Sequence, residues 1–301
     1  MVIAAAVGSA LALTGGGVAS ATTSTEEPSA TNEVLDASPI AQNAAGVEAQ
    51  IAAVSGNTVT VTGEDAEIRV TLPVADQPET AVDSGLLELS EDSSSSIVPV
   101  VFDDGSVAIH SVLNDEFAPT TYDYTFDLPA GAAFEIDPDS GAVTAINTDG
   151  TPALFVAAPW AKDGNGDAVP THYTVDGETI TQHIQTDGGT AYPVVADPWA
   201  GIDLVASFSW TWVSGSGWKI NIDPTLWARG YTGNALYVAV GRAGWDELRN
   251  KVPSSQRSRL NESGKGQYVC HMGYAGLDAQ WNLELWKPAK HDGAWVLSLC
   301  N

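Results

Sequence analysis

Residues 203–224 read DLVASFSWTWVSGSGWKINIDP, and no other stretch of the chain limits its fold as tightly. Leu204, Ala206, Phe208, Trp210 and Trp212 recur at every second position, and Trp218, Ile220 and Ile222 do the same after the turn Ser214-Gly215-Ser216-Gly217. Side chains alternate across a strand, so this spacing gathers all eight on one side and predicts a β-hairpin with one buried face.

The sequence on either side of the hairpin differs in texture. Between residues 55 and 197, runs such as NTVTVTG, EIRVTLPV, SIVPVVFDDGSVAIHSVL, TYDYTFDLPAG and HYTVDGETITQHI are short and rich in β-branched and aromatic residues. Gly, Asp-Gly and Pro punctuate them, which predicts an antiparallel β domain over 55–197. Residues 76–96, DQPETAVDSGLLELSEDSSSS, break the pattern and are expected to form a loop with a solvated acidic face. Upstream, residues 22–54 are read as a flexible acidic leader followed by one short amphipathic helix, in which Ile40, Ala44, Val47 and Ile51 are three or four apart.

Beyond the hairpin, Leu236, Val240, Ala243 and Leu248 fall at helical spacing, and the helix is expected to end near Pro253. PSSQRSRLNESGKG reads as a polar, basic loop. Two further strands are expected around QYVCHMGY and QWNLELW, with a short closing element at AWVLSLC. The expected fold class is therefore mostly β: an antiparallel β N-terminal domain followed by a small α+β, disulfide-closed C-terminal domain over 198–301. The disulfide is expected between Cys270 and Cys300, the only two cysteines.

Charge supports the same partition. Residues 1–200 hold 30 Asp and Glu against 2 Lys and Arg, and residues 201–301 hold 8 against 10. Eight of the ten tryptophans also lie after residue 200. The dividing stretch YPVVADPW carries Pro193 and Pro198, which favour extended chain before them, as in a linker or an edge strand.

Residues 1–21, an apolar run closing on Ala19-Ser20-Ala21, predict a signal peptide and hence a secreted, extracellular protein. No later segment has the length of apolar sequence that spans a bilayer. A net charge of −26 repels phosphate, so nucleic acid is not an expected partner. No cofactor or metal is expected. DGNGD at 163–167 starts like a calcium loop, but Ala168 and Thr174 stand where Gly and Glu are needed, so it reads as a turn.

The chemistry-bearing residues cluster in CHMGYAGLDAQWNLELWKP, 270–288. On a strand, Gln280, Asn282, Glu284 and Trp286 share one face, and Trp281, Leu283, Leu285 and Lys287 share the other. Trp281, Asn282, Glu284, Trp286 and Lys287 are the candidate ligand-binding residues, because indole faces stack on sugar rings while carboxylates and amides bond hydroxyls. The same residues also suit a structural role, with Glu284 in an ion pair and the indoles in a small core. His271 and Glu284 are the weak catalytic candidates, lacking any spacing that requires them to meet. Six cations between Arg242 and Lys265 form the basic stretch of the chain, suited to an anionic wall polymer, to the acidic domain itself, or to a solvated helix end and loop.

The series Pro224-Thr225, Ala228-Arg229, Trp245-x-Glu247-Leu248, Gln267-x-x-Cys270-His271, Trp281-Asn282-Leu283-Glu284-x-Trp286-Lys287-Pro288 and terminal Cys300-Asn301 resembles a domain of unknown function. That domain ends proteins secreted by high-GC Gram-positive bacteria, and the match covers about residues 199–301. VPTHYTVDGETITQHI with YPVVADPW resembles a lead-in placed ahead of different C-terminal modules in such proteins. The resemblance implies a carrier region with an exchangeable payload and implies no activity. The expected function is a secreted two-part protein whose acidic β domain carries or masks a C-terminal, non-catalytic binding or effector module. The alternatives are a bacteriocin-like payload released near the linker and a small cell-wall or glycan hydrolase. Expected partners are cell-wall polymer, glycan or another cell's surface.

Overall fold

A computed structural model describes residues 29–138, 140–230, 237–290 and 292–300. The expected signal peptide lies outside these residues. The fold is mostly β, with antiparallel sheets and a small α+β C-terminal region closed by the Cys270–Cys300 disulfide.

Two sheets stack face to face in the N-terminal part. The six-stranded sheet includes Thr58–Thr62, Glu67–Thr71, Thr121–Phe126, Thr171–Asp176 and Thr179–Ile184. Its strands alternate as their sequences require: in Thr121–Phe126 the residues Tyr122, Tyr124 and Phe126 point inward while the threonines and Asp123 stay wet. The ten-stranded sheet presents Ile97, Val107, Ile109, Leu113, Leu154 and Val156 to that layer.

The other face of the large sheet is covered too. Val98, Val100, Ala108, Val112, Phe155, Val195 and Trp199 belong to a second core shared with helix α1 (Ala30–Ala37) and with the C-terminal region. Every residue of strand Val107–Leu113 is consequently buried. A sheet packed on both faces reads as a continuous apolar run, which is why VAIHSVL shows so little alternation.

Three expectations are corrected here. Residues 76–96 are not a loop: Glu79–Asp83 and Leu86–Ser90 pair as a hairpin. Ser84 and Gly85 turn with φ of 52° and 85°, as a two-residue hairpin turn demands. The first of these strands is exposed along its whole length, so no buried alternation marked it. In the leader, Ala30–Ala37 is a helix whose Val34 is sealed against the large sheet. The expected single helix that follows is two pieces, a 3-10 turn at Pro39–Asn43 and α2 at Val47–Ala53, separated at Ala44 to Gly46.

The dividing stretch is woven into the sandwich. Val194–Asp197 pairs with Ser111 to Leu113, and Trp199–Gly201 lies between Val107–Leu113 and Pro152–Val156. The chain leaves the large sheet only after Gly201.

The hairpin forms as Val205–Val213 and Gly217–Pro224, and Trp281–Glu284 adds a third strand. A register shift between Val205 and Ser207 puts Val205 inside and leaves Ala206 in solvent. From Phe208 onward the expected side chains share one face, but Trp212 at its end is exposed instead of buried. That face packs on α4 (Tyr237–Lys251) and α5 (Glu262–Tyr274), with α3 (Leu226–Gly230) between hairpin and sandwich.

QYVCHMGY is helical, not a strand. Asn261 caps α5 by accepting from Gly264 N at 2.9 Å, and the helix runs sheathed between neighbours, with Gln267 to Gly273 all buried. A helix buried all round has no amphipathic period to recognise. Gly266 lets Trp295 approach: a Cβ there lies 2.2 Å from the indole nitrogen. The closing element is α6 (Asp292–Val296) followed by turns, and Trp295 with Cys270 and Cys300 forms its own small core. The bridge closes a separation of 30 residues. Reducing it, or replacing both cysteines by serine, is expected to lower stability by about 3–4 kcal/mol. Chemical denaturation with and without reductant checks this.

Candidate functional site: the sheet faces and the seam of the C-terminal region

The third strand sorts the candidate residues onto opposite sides. Trp281 and Leu283 point into the core, while Asn282 and Glu284 are half-exposed. Trp281 is fully sealed, its ring edge-on to Tyr268 and its Nε1 donating to Ala275 O at 3.1 Å. Its indole face is therefore not available to a ligand.

His271 sits beneath the sheet on α5, with its ring 6.0 Å from that of Trp281 and Nδ1 at 2.8 Å from the Gln267 carbonyl. Burial lowers its pKa, although the Gln267 carbonyl and Asp278 pull the other way. Glu284 is on the far face of the same strand, paired with Lys287. Sheet and core separate the two, so the structure does not bring them together as an acid and a base.

The outer face of the three-stranded sheet is a polar lattice. The Asn221 amide donates to Thr211 Oγ1 at 2.9 Å and to Ser209 Oγ at 3.2 Å, and Gln280 donates to Asp223 at 2.9 Å. Lys219, Asn282 and the Glu284–Lys287 pair extend it. Half-buried Trp286 lies over Gly217 at the hairpin end, where a Cβ meets its own Cβ at 3.5 Å. Asn282, Glu284, Trp286 and Lys287 are thus neighbours, without Trp281.

Sequence reasoning missed two groupings. The first lies on the opposite face at the hairpin end. The Arg259 guanidinium covers Trp218 at 4.1 Å and Trp210 at 5.2 Å, and Trp212 packs edge-on to Trp218 at 5.1 Å. A basic loop and a tryptophan-rich hairpin were both visible, but their meeting was not.

The second is the seam between sandwich and C-terminal region. Trp227 of α3 packs at 5.3 Å from Phe155 and 6.4 Å from Trp199, and Trp199 packs at 5.6 Å from Phe102. Asp104 Oδ2 accepts from Leu226 N at 2.7 Å and from Trp227 N at 3.3 Å, satisfying the first amides of α3. Lys251 pairs with Glu64 of the sandwich at 2.7 Å and also reaches Asp203 and Glu247. Glu247 accepts from Leu204 N and Val205 N at 2.8 and 3.0 Å, holding the chain where it leaves the large sheet. Burial pushes its carboxyl up to about 7, although those N–H groups and Lys251 oppose the rise.

Among the described residues no group of three or more His, Cys, Asp or Glu side chains is placed to hold a metal. Residues 163–167 form a turn in which Asp163 Oδ1 accepts from Asn165 N and Asp167 N, each at 2.9 Å. No helix among the described residues is long and apolar enough to cross a membrane.

Residues 205–301 match a family described as protein of unknown function (DUF2599). The matched segment begins at the first strand of the hairpin, just past the point where the chain leaves the large sheet. No curated protein and no solved structure matches the chain.

Proposed function

We propose that the chain is a secreted, extracellular two-part protein in which the acidic β sandwich carries a C-terminal module that binds a glycan or cell-wall polymer without catalysis. The seam carries this reading. The sandwich supplies Asp104 to α3, Glu64 to Lys251, and Phe155 and Trp199 against Trp227, so the module is held in one orientation. Meanwhile the outer sheet face and the hairpin end stay open to solvent. The acidic part also keeps a tryptophan-rich, slightly cationic module soluble.

Cosedimentation of the full chain with washed bacterial cell walls and with insoluble glycans tests the reading. Retention in the pellet with no soluble sugar or peptide released is the expected result. Release of fragments overturns the non-catalytic part, and full recovery in every supernatant overturns the binding part.

A further inference from the structure

The chain carries 38 acidic residues, yet none of those described pairs with Arg259. Among the described residues its guanidinium has no ion pair and no hydrogen bond. Two other arginines are tied down: Arg69 pairs with Asp127, and Arg257 donates to the carbonyls of Val252 and Asn250. Arg259 instead lies over the rings of Trp218 and Trp210, its Cζ 4.1 and 5.2 Å from their centroids. The cation–π contacts hold the guanidinium over the rings while its N–H groups have no acceptor among the described residues, which leaves them able to grip an oxyanion with two parallel bonds. At the same place the Trp210 indole N–H is buried without an acceptor. Beside them Trp212, 59% exposed, offers a bare indole that touches the same Trp218.

We infer that the hairpin end is a binding site for a sugar unit bearing an oxyanion, with Arg259 holding the carboxylate or phosphate and Trp212 stacking on the ring. This rests on the binding reading above and names its ligand class. An anion alone leaves the Trp212 face uncovered, and a neutral sugar leaves the fork empty. A dense polyanion is repelled by a net charge of −26, whereas a polymer with one oxyanion among many hydroxyls meets far less repulsion.

The test is calorimetric titration of the full chain with three probes. These are an oligosaccharide with one uronic acid per disaccharide, the same oligosaccharide with its carboxyls reduced to alcohols, and a hexose 6-phosphate. At least one charged probe is expected to bind about tenfold or more tighter than the neutral one. Comparison of the two charged probes then assigns carboxylate or phosphate. Arg259→Gln is expected to erase the preference, and Trp212→Ala to weaken charged and neutral probes alike. Thermal midpoints check that both variants remain folded, and the unmodified chain's own preference needs no variant. Equal affinity for charged and neutral probes, no binding of either charged probe, or an unchanged preference in Arg259→Gln overturns the inference. If the charged probes fail while the full chain still sediments with cell walls, only this site is lost and the carrier reading stands.

Discussion

Trp227→Ala is expected to lower the thermal midpoint of the full chain by about 10 °C, a loss of about 3–5 kcal/mol. The ring is 2% exposed, packed on Phe155 and Trp199, and its Nε1 donates to Trp199 O at 3.4 Å. Truncation removes the largest apolar group at the seam and leaves a cavity that the flanking strands cannot collapse to fill. Gly201 has no side chain to move in, and a Cβ built there comes within 2.5 Å of the indole. Because Asp104 still caps α3 and Lys251 still reaches Glu64, the module stays tethered but opens more often. Thermal denaturation measures the loss. Limited proteolysis is expected to show faster cutting around residues 202–204, and an unchanged cleavage rate there refutes the role assigned to Trp227.

Asp197→Asn is expected to stabilise the protein increasingly as pH rises. Asp197 is 1% exposed at the end of strand Val194–Asp197, and neither carboxylate oxygen has a hydrogen-bond partner. Burial pushes its carboxyl from the ordinary 3.8 up to about 8, only partly offset by N–H dipoles of Trp160 across the strand pair. Between about pH 4 and pH 8 the native state therefore holds a proton that the unfolded chain has released. Stability falls as pH rises through this window, by about 1.4 kcal/mol per unit. Asparagine has the same shape and no proton to lose. The variant should equal the parent near pH 4 and exceed it by a growing margin up to pH 8. His110, fully buried and lowered to about 4 by that burial, acts in the opposite direction, removing stability as pH falls from 6.5. It is common to both proteins and drops out of the difference. Urea denaturation of both at several pH values checks the slope, and a pH-independent difference removes the buried ionisation.

The residues on which the proposed binding site rests were legible to different degrees. Simple alternation places Asn282, Glu284 and Trp286 on one face; the strand Trp281–Glu284 keeps the first two together, and Trp286, in the turn past its end, lies over Gly217. Trp281 was a candidate for the same ligand, but alternation by itself does not say which face meets solvent, and α5 covers its side. His271 followed a cysteine in an apolar run whose local pattern suits a strand as well as a helix. The cap at Asn261 and burial on all sides made it helical. Arg259 was one cation among six, and nothing in its neighbours' order announces a stack on indoles more than forty positions away.

The hairpin, the antiparallel strands and the pairing of two lone cysteines are properties of the sequence by itself. Each follows from local periodicity or from having no alternative partner. Only tertiary structure decided that the dividing stretch is woven into the large sheet, that the middle of one helix is buried, and that the seam joins an apolar cluster to a set of charged contacts. Alternation specifies the two sides of a strand, but the neighbours that cover each side come from distant chain and are selected by which packing removes the most apolar surface from water.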